Sequence, residues 1–372
     1  MKIPVWHPSL KEQELEAVKK ALEIGYLGMG SNVFEFERAV ARTLRAPEAT
    51  VISAHTGQSA LHLALLALGV GRGDIVITPS LNNVADFQAI LACGATPYFC
   101  DVDPITGLLS PDLLRRCPVA KAKCVITLDY ASQYCDLAGL AEICRQAGAK
   151  LIYDAAHTFG SKLDGRLDLA DATMFSFDPI KTLTAIDAGI IHSPLPEVID
   201  YIRKARHMGM EQNLEALKQN KRSWNYDVKI PGWRYHLSNI HAAIGVEQIR
   251  RLDEIADKRK GLVARFRELT APLGSLIDYL PVHEGFIPFM NVARLDPKHR
   301  DGLREYLEKL EVQTGIHWTP GHHFTLFKDC PADDLAGTEQ FYASMVSVPL
   351  YTDMTEAECK YAAVAVNGYF KG

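Results

Sequence analysis

KCVITLDYASQYCDLAGLAEICRQAGAKLIYDAA, residues 123–156, reads as a strand, a helix and a second strand. Its ends, KCVITLDY (123–130) and KLIYDAA (150–156), are short apolar runs of the kind that is buried on both faces of a sheet. Between them, LAGLAEICRQAGA (137–149) spaces its apolar residues as a helix does. Two strands joined by a crossover helix run parallel, so this stretch predicts a parallel sheet with helical cover.

The same rhythm extends outward. Upstream come the strand TVISA (50–54) and HTGQSALHLALLALGV (55–70), a turn that opens an apolar helix. The strand DIVITP (74–79), the helix VADFQAILACG (84–94) and the strand TPYFCDVD (96–103) follow. LSPDLLRRC (109–117) is a helix capped by Ser110, with Pro111 at its first position. Downstream, DATMFSF (171–177) and AGIIHS (188–193) add two strands. At the N-terminus, helices LKEQELEAVKKAL (10–22) and NVFEFERAVARTL (32–44) flank the turn GYLGMG (25–30). The expectation is an α/β protein whose large domain, 1–244 with its N-terminal arm, is a three-layer α/β/α sandwich on a mostly parallel sheet. After that the rhythm changes. Residues 238–274 read as one long helical stretch, followed by a few strands such as FMNVARL (289–295) and helices at 298–310 and 355–368. These predict a smaller α+β C-terminal domain, 245–372. No internal repeat and no low-complexity linker interrupts the chain.

Composition removes several function classes. A net charge of −5 with dispersed Lys and Arg leaves no footprint for nucleic acid or an anionic membrane. No segment reaches the roughly 18 uninterrupted apolar residues of a membrane span. The N-terminus lacks the apolar core of a signal peptide, so a cytoplasmic protein is expected. The eight cysteines form no CxxC pair. They read as reduced core residues, and no metal site is expected.

Three places invite chemistry. The turn at Thr56-Gly57-Gln58-Ser59 opens a helix after a strand, and free N–H groups at a helix start suit a phosphate; alone, it is more readily an ordinary helix cap. Asp154 ends an apolar strand at the edge where open α/β sheets bind ligands; alone, it is equally a solvated strand-end carboxylate. Lys181 lies in FSFDPIKTLTAIDAGII (175–191), an apolar setting that lowers an amine's pKa as Schiff-base chemistry requires; alone, a single lysine is more often a surface charge. In this order the three match what pyridoxal 5'-phosphate (PLP) needs: a phosphate cup, a carboxylate for the pyridine nitrogen and a lysine for the aldehyde.

From about residue 8 to the C-terminus the chain resembles the DegT/DnrJ/EryC1/StrS family of sugar aminotransferases, which have the PLP-dependent transferase fold of type I. GYLGMGSNVFEFERAVA resembles the family's N-terminal signature, and the segment from TGQSALHL to CDVD resembles its phosphate-cup region. YDAAHTFGS and FSFDPIK resemble the aspartate and lysine motifs, YHLSNIHAAIGVEQIRRLDEI the helix that opens the small domain, and HWTPGHH the substrate loop. The resemblance implies that Lys181 carries the cofactor as a Schiff base and then moves the proton, with Asp154 paired to the pyridine nitrogen. His157 contacts the ring face or the 3-oxygen. Gly57 and Gln58 offer amides to the phosphate, and Ser176 offers its hydroxyl. His322 approaches the sugar, with His323 a nearby competitor.

Departures mark a divergent subgroup. Asn83 stands where the family stacks an aromatic on the cofactor ring, and Asn82 stands beside it for a common Thr. Arg234 replaces an Asn that reaches the phosphate from a neighbouring subunit. It is either a charge-assisted phosphate contact or an exposed loop residue. His236 replaces a usual Arg, and Ala188-Gly189 a Gly-Gly.

The implied activity is an amino transfer from L-glutamate to a keto-sugar, commonly a nucleotide-linked 3- or 4-keto-deoxysugar, in a homodimer with shared active sites. An oxidised sugar acid such as an 8-keto-Kdo, or a keto-inositol, is an alternative acceptor. A PLP-binding sensor without turnover is an alternative of another class. Lys181 argues against a dehydratase, which carries His there, and the apolar setting of the cysteines, Cys330 in FKDCPADD excepted, argues against a desulfurase.

Overall fold

The structure, a computed structural model, describes residues 2–211 and 213–371. Seven strands build the central sheet: β1 (Val51–Ala54), β2 (Ile75–Pro79), β3 (Thr96–Cys100), β4 (Cys124–Leu128), β5 (Lys150–Asp154), β6 (Ala172–Ser176) and β7 (Gly189–His192). Their spatial order is β1-β7-β6-β5-β4-β2-β3. The β3-β2-β4-β5-β6 run is parallel throughout; β7 is antiparallel to both β6 and β1.

Both faces are apolar because successive side chains point to opposite sides. Val76, Ile126, Ile152 and Met174 join one core, covered by the helices Gly57–Ala67, Val84–Ala92 and Pro196–Ala205. Ile77, Val125, Leu151, Tyr153 and Phe175 join the other, covered by the helices Ser31–Leu44, Leu137–Ala147 and Asn239–Arg250. A separate C-terminal core gathers Ile3, Phe266, Leu303, Val346 and Val366. It lies around a three-stranded antiparallel sheet formed by Asp278–Tyr279, Asn291–Arg294 and Met345–Val348. Among the described residues, no helix is long and apolar enough to cross a membrane.

Two expected helices differ from what the structure contains. The stretch 238–274 is not one helix but two, Asn239–Arg250 and Leu252–Thr270, followed by a 3₁₀ segment. They meet at Arg251, whose φ/ψ of −95°/7° leaves the helical region. Its buried guanidinium bonds Glu14 at 2.8 Å and the Ser9 carbonyl at 3.2 Å, tying the junction to the N-terminal arm. The helix expected over 109–117 is the single turn Pro111–Leu114. Pro118 disfavours a helical residue before it, and Ser110 caps the turn as expected.

β7 is held against the start of the Gly57–Ala67 helix at Gly189, which pairs with both Ala54 and Ser176. A Cβ added at Gly189 would lie 2.2 Å from the Thr56 carbonyl oxygen and 2.7 Å from the Ala60 Cβ. Backbone cannot yield there, so Gly189→Ala is expected to cost about 3 kcal/mol or more through overpacking. Thermal unfolding of the purified variant checks this; an unchanged Tm would contradict the packing described.

Candidate active site

The carboxyl ends of β5 and β6 and the start of the Gly57–Ala67 helix meet at one edge of the sheet. There the helix is closed by a capping box: Thr56 Oγ1 accepts from Ser59 N at 3.0 Å and Ser59 Oγ accepts from Thr56 N at 2.8 Å. This uses the third amide of the turn and leaves those of Gly57 and Gln58 directed out of the helix end. An ideal Cβ at Gly57 would meet the Ser176 hydroxyl at 3.0 Å. Gly57 therefore brings the amides of the helix start close to the Ser176 hydroxyl, an approach that any side chain would crowd, and such a group of donors suits a phosphate.

Asp154 ends β5, level with Leu128 and Met174. It is buried, and its Oδ1 accepts from Ala156 N at 2.8 Å. Burial pushes its carboxyl above the usual range, opposed by the Ala156 amide and the Lys181 charge. A buried carboxylate raised in this way is well matched to a cationic ligand. His157, three residues on, is buried with its Nδ1 unpartnered. Burial, Lys181 and His317 hold its imidazole well below the ordinary range, so the ring stays neutral. An orphaned nitrogen here fits a ligand oxygen.

Lys181 enters from the segment between β6 and β7. Burial lowers its amine, and Asp154, Asp178 and Asp86 pull it back up. Its Nζ stands 4.6 Å from the centroid of the Phe289 ring, which in turn packs 4.4 Å from the His157 ring. The structure thus brings Gly57, Ser176, Asp154, His157 and Lys181 to one edge, as a PLP site requires.

Three other expected residues are engaged differently. Asn83 caps the Val84–Ala92 helix, its side chain accepting from Ala85 N at 2.9 Å. Arg234 lines a neighbouring cleft of about 280 Å³ with Tyr26, His207, Trp224 and His236. The backbone of Tyr235 bonds His55 N at 2.7 Å, so this segment runs beside the strand that leads into the cup. His322 Nδ1 lies 2.7 Å from Ser80 Oγ at the end of β2, and its Nε2 2.7 Å from Glu339 Oε1, an atom that His323 Nε2 also approaches at 2.6 Å. His322, His323 and Glu339 form a group that could gather a metal ion. Their spacing is that of hydrogen bonds, however, and is shorter than the ~3 Å between ligands that surround an ion at about 2.1 Å.

Phe289, Asp86, Asp129 and Glu339 were not anticipated. Phe289 opens the stretch expected as a strand, and as one apolar residue among many it gave no signal. Asp129 follows β4, its carboxyl bonded to Arg166 Nη2 at 3.0 Å and to the Tyr153 hydroxyl. The placement of a carboxylate immediately after an apolar strand, the signal that singled out Asp154, also applies to Asp129.

The DegT/DnrJ/EryC1/StrS aminotransferase family model matches residues 8–367. Among solved structures, the chain is similar to the aminotransferase TlmJ from Streptoalloteichus hindustanus, at 29% identity and a TM-score of 0.90 with 99% of each chain covered. Spr1654 from Streptococcus pneumoniae, solved in its PMP form, shares the fold at 24% identity and a TM-score of 0.90 over 99% of each chain. So does PseC from Helicobacter pylori, an aminotransferase in pseudoaminic acid biosynthesis, at 21% identity and a TM-score of 0.90 over 100% of each chain.

Proposed function

This chain belongs to the DegT/DnrJ/EryC1/StrS aminotransferase family and is a PLP-dependent sugar aminotransferase; from that premise we propose that it moves the amino group of L-glutamate to a keto-sugar, most readily a nucleotide-linked 3- or 4-keto-deoxysugar. The observation that carries the reading is the convergence of the Gly57–Ser176 cup, Asp154 and Lys181 on one sheet edge. PLP, once bound, supplies an electron sink for the bonds at the amino-bearing carbon.

The protein's own residues would divide the work as follows. The Gly57 and Gln58 amides and the Ser176 hydroxyl hold the phosphate. The Asp154 carboxylate faces the protonated ring nitrogen. Neutral His157 offers Nδ1 to the ring's hydroxyl oxygen. The amine of Lys181 anchors the aldehyde, and once released its lone pair takes and returns the substrate proton; a lowered pKa keeps more of that amine neutral near pH 7. Asn83 borders the ring as helix cap. His322, with Glu339 and Ser80 fixing its ring, faces the sugar.

We also propose a homodimer in which Arg234 reaches the partner's phosphate, supported by the exposed Trp224 and Tyr226 on the rim of its cleft. The division into a large lobe through residue 244 and a small lobe after it is supported by the separate core around Phe266, with the Asn239–Arg250 helix straddling that boundary.

The test follows the bound cofactor by absorbance. Adding L-glutamate to the PLP-loaded protein is expected to replace the visible band with that of the pyridoxamine form, and the correct keto-sugar is expected to restore it. Loss of the band with another amino acid and not with glutamate would reassign the donor. Failure of every nucleotide-linked keto-sugar, with a response to a free one, would reassign the acceptor.

A further inference from the structure

Phe289 takes no part in the cofactor roles above, yet it is the residue that the Lys181 amine rests against. Lys181 carries its amine on a long flexible stem, and among the described residues Nζ makes no hydrogen bond. The contact it does make is with the face of the Phe289 ring, 4.6 Å from Nζ to the centroid. The same ring lies 4.4 Å from the His157 imidazole, at an interplanar angle of 33°. Phe289 is 5% exposed, so its faces are given to protein and not to solvent.

Two sets of bonds fix the backbone that carries this ring. The segment before the strand Asn291–Arg294 is tied to the turn after His157: Ile287 N donates to Ser161 Oγ at 2.9 Å, and Lys162 N to the Gly285 carbonyl at 2.9 Å. From the helix Leu252–Thr270, Arg259 donates Nε to the Pro288 carbonyl and Nη2 to the Phe289 carbonyl, each at 2.6 Å. Its Nη1 donates to Thr352 Oγ1 at 3.4 Å. Arg259 is buried, and burial lowers its guanidinium to about 10 with no carboxylate opposing. A buried cation without a counter-ion is costly. Here its donors hold two successive carbonyls, and with them the direction in which the Phe289 side chain leaves the backbone.

The charged groups acting on the amine are Asp154 at the end of β5, Asp178 on its own segment and Asp86, buried in the Val84–Ala92 helix. The imidazoles of His157 and His317 feel its charge in turn. None of these groups bonds the amine, so they favour its charge without fixing where it points. A ring face does fix it, because the attraction is strongest directly over the ring. We propose that Phe289 is a positioning residue for Lys181: its ring face holds the amine, whenever that amine is not joined to the cofactor, where it can capture the aldehyde and return the substrate proton. The proposal rests on the assignment of Lys181 as the cofactor's anchor.

Capture of PLP by the apoprotein is followed as growth of the visible band after mixing, between about pH 6 and pH 10. The rate rises as the amine loses its proton, so the midpoint reports the amine and the plateau reports how well it is placed. PLP's own ionisations are common to every protein compared. Phe289→Leu keeps the apolar bulk and removes the ring face. It is expected to lower the midpoint by about half a unit to one unit, because the ammonium loses its cation–π contact. The plateau is expected to fall about fivefold or more, because the amine is no longer held in place. Replacing Phe289 with phenylalanines that bear one, two or three ring fluorines tests the face alone, since fluorine withdraws charge from it at nearly constant shape. The midpoint is expected to fall stepwise along this series, which packing by itself would not produce. If Phe289→Leu changes neither midpoint nor plateau, the proposal is overturned. If the plateau falls while fluorination leaves the midpoint in place, the ring is only a spacer and the proposal is equally overturned. Should Phe289→Leu impair folding, the fluorinated series decides by itself. Lys181→Ala, run in parallel, reports on the underlying assignment: a visible band formed there at the normal rate would move the anchor to another amine, whatever the Phe289 variants do.

Discussion

Lys181→Ala is expected to abolish the visible absorbance of the PLP-loaded protein and to lower transamination by about 10⁴-fold or more, since it removes both the covalent anchor and the proton-transfer group. The amine sits against the Phe289 ring with Asp154, Asp178 and Asp86 within electrostatic reach, and burial lowers its pKa. A surface lysine would feel none of these. The phosphate cup and Asp154 are untouched by the substitution, so PLP is expected to bind still, without the visible band. Absorbance and equilibrium dialysis together check this. An unchanged band in the variant would place the anchor on another amine. Lys181→Arg is the companion: it keeps the charge, cannot form the bond, and is expected to behave as Ala does. Activity retained by Arg would make the role of Lys181 one of charge alone.

How much of this site could be read in the sequence depended on where each residue falls in the chain. Asp154 and Lys181 were legible because both follow apolar strands, and strand ends at the carboxyl edge of a parallel sheet are where such folds bind ligands. Gly57 was legible as the opening of a helix after a strand. The sheet itself was legible for the same reason: β4, the Leu137–Ala147 helix and β5 each lie within the boundaries that apolar runs suggest. Partnerships between distant segments were not legible. Phe289 meets Lys181 across more than a hundred residues, and Glu339 fixes His322 from a helix with no motif of its own. Asp86 reads as an ordinary first-turn acid until its burial is seen. The break at Arg251 was hidden too, because the residues that draw its side chain inward, Ser9 and Glu14, lie near the other end of the chain.

Asp154→Asn is expected to have opposite effects on the apoprotein and on the holoenzyme. In the folded apoprotein, burial raises this carboxyl from 3.8 to about 6, while the unfolded chain keeps the ordinary value. A raised carboxyl pKa means that the folded state disfavours the ionised form. The cost is complete above about pH 6 and disappears as pH falls toward 4, where both states are protonated. That cost is on the order of 3 kcal/mol. Asparagine has no charge to bury, so the apo variant is expected to melt a few degrees above wild type at pH 8. The difference should shrink as pH is lowered from 6 to 4. With PLP present the order should reverse. A protonated ring nitrogen compensates the wild-type carboxylate, whereas the amide offers no charge, so cofactor affinity is expected to fall about tenfold or more. Thermal melts of both proteins, with and without PLP, across this pH range read all of these effects. If the apo variant shows no advantage at pH 8, the ionised Asp154 carries no net cost in the empty site. If PLP stabilises both proteins equally, the carboxylate does not meet the ring nitrogen. Stability given up in the empty site for the sake of a bound cation is the physical signature of a residue placed there for chemistry.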